Sequence, residues 1–295
     1  MTVLLTVFTP TYNRAHTLIR TYESLQRQSS KNFKWLIIDD GSTDETSKLV
    51  SSWQQSEDHF EILYHFKENG GMHTGHNMAY TLIDTELNVC IDSDDELAED
   101  ACRLIEEKWK EIKHGNYAGI IGLDADLNGD IIGSGFPEKM HSTTLHGYYA
   151  NGGRGDKKLV FRTKVIRSVP PYPEFEGEKL VPLSYKYLLI DQSYQLSVLN
   201  KVLCNVEYQE DGSTNSRFKN YAINPRGFAF LRKHRMIYPT SSRQLVTDII
   251  NYSSCCFLSG NLSELFKAPR VLSILALSPV GFILSRYIRM KSRKA

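Results

Sequence analysis

Three carboxylates lie within four residues of the chain, at Asp92, Asp94 and Asp95, directly after the apolar run Val89-Cys90-Ile91. The apolar run predicts a buried strand, and in an open α/β sheet ligands bind at the carboxyl ends of the strands. Clustered carboxylates repel one another unless a cation joins them, and Mg²⁺ and Mn²⁺ prefer oxygen ligands together with substrate phosphates. The pattern therefore favours a divalent metal that holds a diphosphate. The competing interpretation is a solvated acidic turn that caps a following helix.

The segments around this cluster alternate between apolar strands and amphipathic helices. Strands are predicted at 3–8, 35–38, 61–66 and 89–91, and helices over 15–28 and from Asn77 onward. A helix near Leu97 and strands at 159–161 and 202–206 follow. A polar or glycine-rich cluster ends each of the first four strands. This alternation predicts an α/β fold with a mostly parallel sheet and crossover helices.

Four segments resemble the motifs of glycosyltransferase family 2, the inverting nucleotide-sugar transferases of the A-type fold. They are FTPTYNR at 8–14, IIDDGSTD at 37–44, NGG at 69–71 and DSDD at 92–95, in the order and spacing of the family. The resemblance implies a Rossmann-like, mostly parallel mixed sheet flanked by helices. It also implies an enzyme that transfers a hexosyl or N-acetylhexosaminyl group with inversion.

The resemblance implies roles for the residues after the first two strands. Tyr12 offers a packing surface for a pyrimidine base, and Asp40 offers an acceptor for the imide N–H. Arg14 can reach a phosphate, although a surface arginine at a helix start is equally compatible with the pattern. The alternative for residues 39–44 is a plain strand-to-helix turn. The complete donor-binding set is predicted as Pro10, Tyr12, Arg14, Asp40, Gly71, Asp92, Ser93 and Asp156.

The D-x-D pattern of the family meets the ribose and the metal-bound diphosphate. By this resemblance Asp92 and Ser93 contact the donor, and Asp94 is the leading ligand of Mn²⁺ or Mg²⁺. Asp95 is either a second ligand or the cap of the helix near Leu97. The implied cofactors are one of these metals and a nucleotide-sugar donor, with UDP as the expected nucleotide.

Inversion at the anomeric carbon is a single displacement, so one carboxylate must take the proton of the attacking hydroxyl. The family carries this base in a later acidic motif, and Gly177-Glu178 occupies the matching place. Glu178 is the first candidate, Glu176 the second and Asp191 the third. The alternative is that Glu176 and Glu178 are exposed loop acids after the proline-rich segment 170–173.

Three further loops contain residues that suit this chemistry. The glycine-rich segment 151–158 suits a lid in which Asp156 contacts sugar hydroxyls and Arg154 or Lys157 meets phosphate, with a surface hairpin as the alternative. The segment 207–214 resembles the late loop of the family, with Gln209 and Ser213 as candidate contacts. His73 and His76 offer a weak zinc alternative, because no third soft ligand lies near them in sequence.

Composition and charge are those of a soluble catalytic domain. The chain has 295 residues and a formal net charge of +1, which gives no general signature of nucleic-acid binding. Five cysteines without a C-x-x-C pattern suit a reducing cytoplasm. We expect no signal peptide, because the predicted first strand follows Met1-Thr2 directly. We expect a catalytic domain over 1–220 and a membrane-associating helical region over 221–295.

The C-terminal region combines an apolar stretch with a basic end. Residues 271–283 are apolar but are interrupted by Pro279 and Gly281, and five of the last ten residues are basic. The stretch is short of the ~20 residues needed to span a bilayer. An interfacial helix pair attracted to anionic lipid fits this pattern. The alternative is a helical hairpin packed on protein.

Together these features predict a metal-dependent inverting glycosyltransferase that acts on a glycan or a polyprenyl-linked glycan. The expected setting is bacterial cell-surface polysaccharide synthesis, at the inner face of the cell membrane. One alternative is a nucleotidyltransferase, which usually carries a glycine-rich phosphate loop that is missing after Phe8. Another is a non-catalytic nucleotide- or glycan-binding module.

Overall fold

The computed structural model describes residues 3–207 and 217–293. The chain divides into two compact units. The first comprises Met1–Pro171 and Leu189–Glu207, and the second comprises Tyr172–Leu188 and Tyr208–Ala295. The division into a catalytic domain over 1–220 and a helical region over 221–295 stays a prediction, because a compact unit need not coincide with a functional domain.

The described strands are β1 (Leu5–Thr11), β2 (Phe33–Asp39), β3 (Ile62–Phe66), β4 (Leu87–Cys90), β5 (Glu96–Leu97), β6 (Tyr117–Ala125), β7 (Ser142–Thr143), β8 (Lys157–Arg162) and β9 (Gln195–Asn205). The described helices are α1 (Ala15–Gln26), α2 (Thr46–Ser56), α3 (Met72–Leu82), α4 (Ala101–Ile112), α5 (Leu145–Ala150), α6 (Thr163–Ser168), α7 (Ser184–Ile190), α8 (Arg217–Ile223), α9 (Pro225–Ile237), α10 (Ser242–Ser259) and α11 (Val271–Ser292), with a short 3₁₀ helix at Leu262–Phe266.

The described strands form one nine-stranded mixed sheet in the order β3-β2-β1-β4-β8-β6-β9-β5, with β7 paired to β9. Strands β1 to β4 are parallel to one another, whereas β8 runs antiparallel between β4 and β6. Strand β6 therefore points the same way as β1 and β4. Consequently the carboxyl ends of β1, β2, β4 and β6 and the amino end of β8 lie at one edge of the sheet. The predicted α/β class with a mixed, helix-flanked sheet is confirmed.

Two buried strands and their covering helices form the core of the first unit. All seven residues of β1 and six of the seven of β2 are buried, as expected for parallel strands covered on both faces. Tyr22 stacks on Trp53 with ring centroids 4.4 Å apart, and Trp35 donates from its indole nitrogen to Thr9 at 3.0 Å. This packing fixes the strand ends from which the candidate site is built.

Two predicted helix starts are wrong. Helix α3 begins at Met72 rather than near Asn77, because Gly71 turns the chain with a φ of +93° and Thr74 donates back to its carbonyl. Helix α4 begins at Ala101 rather than near Leu97, because Glu96 and Leu97 pair with β9 as a short strand. Asp95 is therefore not the cap of a helix at Leu97.

The second unit is helical beyond Arg217. Asp248 is fully buried on α10, and its carboxylate pairs with Arg232 at 2.6 Å and Arg235 at 3.3 Å, which joins α9 to α10. The expected helix pair is instead one helix, α11, that runs through Pro279. Proline cannot donate to the Leu275 carbonyl four residues earlier, and the hydroxyl of Ser278 donates to that oxygen at 2.8 Å instead.

By length and composition alone, α11 is also able to cross a membrane, with a mean hydropathy of 1.8 over its most apolar window. The expectation of a stretch too short to span is thus corrected, because α11 continues through Pro279 and Gly281 without a break and its 22 residues include an 18-residue window of sufficient hydropathy. Core helices of soluble proteins share these properties, and membrane association stays a prediction.

Candidate active site

The loops after β1 and β2 are tied together at the common sheet edge. Asn13 has a positive φ of 52°, its backbone N–H donates to Ser42 at 2.9 Å, and its side-chain oxygen accepts from the Thr43 N–H at 2.8 Å. Pro10 is buried beneath this turn, whereas the Tyr12 ring remains 48 % exposed. The turn thus presents one aromatic face at the place where the sequence predicts the nucleotide base.

The Asp40 carboxylate organises the glycine-rich loop beside this turn. It accepts from Lys67 Nζ at 2.6 Å, from Asn69 at 3.2 Å, and from the backbone N–H groups of Gly70 and Gly71 at 3.0 and 2.7 Å. Gly41 has a φ of +88°, and a Cβ there would lie 2.9 Å from the Asn69 nitrogen. Sequence reasoning placed Asp40 against the base, and the structure shows its carboxylate occupied by four loop donors.

The acidic motif after β4 leaves the sheet in a turn closed by the Asp95 N–H and the Asp92 carbonyl at 3.1 Å. Asp92 is exposed, Asp94 is half-buried, and Ser93 and Asp95 are buried. Burial, and next the charge of Asp92, raises the pKa of Asp94. Burial raises the pKa of Asp95 to about 7, which the charge of Lys158 opposes and Asp92 reinforces.

Two further charged residues, absent from the predicted site, lie at the same edge. Lys158 Nζ is 4.0 Å from Asp95 Oδ2, and the Cys204 thiol lies 3.8 Å from that oxygen. Asp124 at the end of β6 is 3 % exposed, and its Oδ1 has no hydrogen-bond partner among the described residues. Burial raises the pKa of Asp124, and the neighbouring charge of Lys158 lowers it. The rule that singled out Asp92, a carboxylate after a buried strand, would also have found Asp124.

Asp156 lies at the amino end of β8, where the segments 132–133 and 154–156 are held together. We call these two segments the clamp. The ammonium of Lys157 donates to the carbonyls of Ile132, Arg154, Gly155 and Asp156 at 2.9–3.3 Å. The sequence predicted Lys157 as a possible phosphate contact, but these carbonyls occupy its ammonium group. Asp156 remains exposed, and its charge adds to the effect of burial in raising the pKa of Asp124.

The clamp is closed by glycines rather than by side chains. Gly133 and Gly155 both have positive φ values, of 76° and 73°. A Cβ on Gly133 would lie 2.3 Å from the Arg154 carbonyl oxygen, and one on Gly155 would lie 2.2 Å from that of Ile132. The two backbones approach too closely for any larger residue, which explains why the sequence is rich in glycine here.

The candidate bases lie in different surroundings. In the second unit, Glu178 accepts from the backbone N–H groups of Arg226 and Gly227 and from Arg226 Nε, and its side chain is 6 % exposed. Glu176 is exposed. In the first unit, Asp191 accepts from the Leu145 and His146 N–H groups at the start of α5 and pairs with His146 Nδ1 at 2.7 Å.

The histidines of α3 belong to the interior of the first unit. His73 and His76 are buried, and His76 contacts the Tyr80 hydroxyl at 3.1 Å and the Cys90 thiol at 3.7 Å. Over residues 3–207 and 217–293, three potential ligand atoms come within 4.8 Å of one another only at Glu57, Asp58 and His59. The described residues therefore give no support to zinc at His73 and His76. The carboxylates of 92–95 are not gathered around one point either, so a metal there needs ligands from a substrate. Gln209 and Ser213 lie outside the described residues.

Comparisons with known proteins agree with this architecture. The family model described as Glycosyl transferase family 2 matches residues 6–155. The chain is 26 % identical over 140 residues to glycosyltransferase GlyG of Streptococcus pneumoniae, an alignment that covers 46 % of each chain. It is 24 % identical over 180 residues to the GalNAc(5)-diNAcBac-PP-undecaprenol beta-1,3-glucosyltransferase of Campylobacter jejuni, covering 59 % of this chain and 57 % of that one. The chain thus spans about half the length of these curated relatives.

Solved structures share the fold at low sequence identity. TarS 1–349 of S. aureus in complex with UDP-GlcNAc superposes with a TM-score of 0.60 at 17 % identity, covering 99 % of this chain and 92 % of that one. The mannosyltransferase PcManGT of Pyrobaculum calidifontis, in complex with GDP-Man and Mn²⁺, gives 0.57 at 15 % identity, covering 98 % and 83 %. At these identities the likeness concerns the fold alone.

Proposed function

The chain belongs to glycosyl transferase family 2, and on that premise we propose that it transfers one sugar, with inversion, from a nucleoside diphosphate donor to a hydroxyl of a glycan or lipid-linked glycan. The acid-rich edge of the first unit carries this proposal. Asp92, Asp94, Asp95 and Asp124 lie there with the buried ammonium of Lys158. Four carboxylates beside one ammonium leave an excess of negative charge that a divalent cation would balance.

Asp94 would hold Mn²⁺ or Mg²⁺, and Asp92 and Ser93 would contact the donor. Asp95 was predicted as a possible second ligand, but its carboxylate is buried beside Lys158 and Cys204. We therefore assign the metal to Asp94 and leave Asp95 as the partner of Lys158. When bound, the metal offsets the charge that develops on the departing diphosphate.

The nucleotide would lie over the turns after β1 and β2. The exposed ring of Tyr12 suits packing against a base, and the backbone of Gly71 lies beside Asp40 at the start of α3. Pro10 shapes this turn from below, and Arg14 and Asp156 complete the predicted donor contacts. A UDP-sugar is the proposed donor: the family resemblance implies a pyrimidine at Tyr12, and the structural neighbour TarS is described in complex with UDP-GlcNAc.

Glu178 would take the proton of the acceptor hydroxyl. A carboxylate offers about four acceptor positions, and three donors from the described residues occupy Glu178, two on Oε1 and one on Oε2. These three leave one position on Oε2 for an acceptor hydroxyl. Glu176, which is exposed two residues earlier, is the second candidate.

The acceptor would be presented at the cytoplasmic face of a membrane, where α11 offers an apolar outer face. Leu272 is 84 % exposed, Ile283 68 % and Met290 49 %. Residues 11 and 18 positions apart lie within about 20° of one another on a helix, so these three form one stripe. Arg286, Arg289, Lys291 and Arg293 follow at the C-terminal end of the helix and suit anionic lipid.

The proposal is tested by incubating the full chain with a panel of nucleotide sugars, with Mn²⁺ or with excess EDTA. Hydrolysis or transfer of one donor, lost in EDTA, is the expected result. Release of pyrophosphate from a nucleoside triphosphate and a sugar phosphate would instead indicate a nucleotidyltransferase. Thermal stabilisation by a nucleotide sugar without any turnover, in the presence of metal and glycan acceptors, would indicate a binding module.

A further inference from the structure

We propose that helix α1 is a positioning element for the metal motif, and that Arg20 and Thr21 set the orientation of Asp94 by holding the backbone carbonyls of Asp94 and Asp95, directly after its side chain. The inference rests on the proposed metal role of Asp94. It concerns residues of the first unit only, and neither Arg20 nor Thr21 belongs to the four motifs that resemble the family.

One face of α1 carries polar side chains at positions 20, 21 and 24, and Gln28 continues this spacing just beyond the end of the helix. Each contacts the backbone of the segment 94–102. The Arg20 guanidinium donates to the Asp94 carbonyl at 3.2 Å, and the Thr21 hydroxyl donates to the Asp95 carbonyl at 2.9 Å. Further along, Ser24 accepts from the Leu97 N–H, and Gln28 both donates to the Ala98 carbonyl and accepts from the Cys102 N–H.

These contacts replace the strand-to-strand hydrogen bonds that the segment no longer makes beyond β4. Beyond β4 the carbonyls of Asp94 and Asp95 lie outside the parallel pairing with β1, and buried carbonyls require hydrogen-bond partners. Thr21 is fully buried, so its hydroxyl provides such a partner without competition from water. The backbone that carries Asp94 is thereby fixed to a rigid helix at two consecutive residues.

Arg20 extends the same support to a third segment. Its guanidinium pairs with Glu207, the last described residue after β9, and lies 3.5 Å from Glu96. One side chain thus joins α1, the acidic motif and the end of β9. A planar guanidinium makes these contacts in fixed directions, which a lysine ammonium does not reproduce.

A merely structural role and a positioning role differ in one measurable quantity. Groups that orient a metal ligand typically change metal affinity 10- to 100-fold when they are removed, whereas loss of a buried hydroxyl elsewhere lowers only thermal stability. The matched comparison is Thr85, whose buried hydroxyl contacts Thr6 at 2.6 Å and the Leu87 carbonyl at 2.8 Å near the start of β4. That contact lies at the opposite edge of the sheet.

The experiment measures binding of Mn²⁺ to the full chain in the presence of UDP, by the electron paramagnetic resonance signal of free Mn²⁺, together with Tm. We expect Thr21→Val to raise the apparent Kd of Mn²⁺ about tenfold, Thr21→Ser to restore it, and Thr85→Val to lower Tm without changing the Kd. Equal Kd values for Thr21→Val, Thr85→Val and wild type would overturn the inference.

If Thr21→Val does not fold, Arg20→Lys at a partly exposed position replaces it. This variant keeps the positive charge near Asp94 but loses the planar guanidinium with its fixed donor directions. We therefore expect a higher Kd of Mn²⁺, and an unchanged Kd overturns the inference. A wild-type protein that binds UDP but no Mn²⁺ would overturn the proposed metal site itself, and with it this inference. The two failures are therefore distinguishable.

Discussion

Glu178 and Arg226 are joined twice: the Glu178 Oε1 atom accepts from both the backbone nitrogen and Nε of Arg226, each at 3.0 Å. Gly227 N–H adds a third donor at Oε2, 2.9 Å away. The carboxylate of the proposed base therefore also holds the first turn of α9. A substitution at this position changes both a proton acceptor and a helix cap, and its effects must be separated.

The first prediction concerns the base. Glu178→Gln keeps the size of the side chain and removes its basicity, so we expect kcat to fall about 10²-fold or more while donor affinity is retained. Transfer kinetics and donor titration measure the two quantities, and Tm reports the loss of the cap. Glu176→Gln is the matched control and should be near wild type. Near-normal turnover in Glu178→Gln together with an inactive Glu176→Gln would move the assignment by two residues.

The second prediction concerns the metal. Asp94→Ala should abolish transfer while the protein stays folded, because Asp94 is only half-buried and lies in a turn between β4 and β5. Asp130→Ala, at an exposed aspartate of the first unit, is the control and should retain activity. Circular dichroism checks the fold of both variants. Full activity of Asp94→Ala, or of wild type in excess EDTA, contradicts the proposed metal site.

The third prediction concerns Asp40, which is surrounded by donors from the loop. Asp40→Asn cannot accept from all four of them, so we expect the loop at Gly70 and Gly71 to loosen and the Kd of UDP to rise about tenfold. Calorimetric titration with UDP and with a purine nucleotide measures affinity and base preference.

Lys67→Met distinguishes two ways in which Asp40 can act. If Asp40 acts by holding the loop, Lys67→Met should lower the affinity for both nucleotides by a similar factor, because Lys67 contacts the same carboxylate at 2.6 Å. If Asp40 reads the imide N–H of the base directly, Asp40→Asn should lose the pyrimidine preference and Lys67→Met should keep it.

The fourth prediction concerns the membrane. Deleting α11 would uncover α10, because a Cβ on Gly281 would lie only 2.5 Å from Ser253 Cβ and the two helices are closely packed. Substitution on the exposed stripe is therefore a sharper test than truncation. Leu272→Glu with Ile283→Glu should reduce binding to anionic liposomes at least tenfold without lowering Tm, because these residues are the most exposed of the stripe.

High salt should also weaken binding of the wild-type chain, since each basic residue near an anionic surface contributes about 1 kcal/mol through a screened interaction. Ile19→Glu, at an exposed apolar position of α1, is the control and should bind liposomes like wild type. Equal liposome binding by the stripe variant and wild type would show that α11 serves only to pack on protein.

The order of strands and helices in the first unit could be predicted from sequence because it rests on local patterns. Apolar runs such as Trp35-Leu36-Ile37-Ile38 predict a buried strand, and the polar cluster after each run predicts where the strand ends. The same reasoning placed the carboxylates 92–95 and the exposed Tyr12 at one edge, which the parallel pairing of β1, β2 and β4 supports.

Helix boundaries depended on contacts that a local pattern does not contain. Met72 starts a helix because Gly71 adopts a positive φ, and Pro279 is accommodated because the hydroxyl of Ser278 takes over an unbonded carbonyl. The backbone conformation of Gly71 decides the first outcome, and one hydrogen bond from Ser278 decides the second. Neither can be read from the general tendency of glycine and proline to interrupt helices.

What only the tertiary structure decided is how each charged group is partnered. Sequence alone identified acidic residues at strand ends, because a carboxylate after an apolar run is visible in one dimension. It could not show that Lys158 faces Asp95 whereas its neighbour Lys157 turns to four carbonyls, or that Glu178 meets the start of α9. Successive residues of a strand point to opposite faces, which separates Lys157 from Lys158. The partners of Lys158 and Glu178 lie 48 or more residues away in the sequence, so they meet only when the chain folds. Sequence therefore determined which chemical groups are present, and the fold determined which of them are occupied.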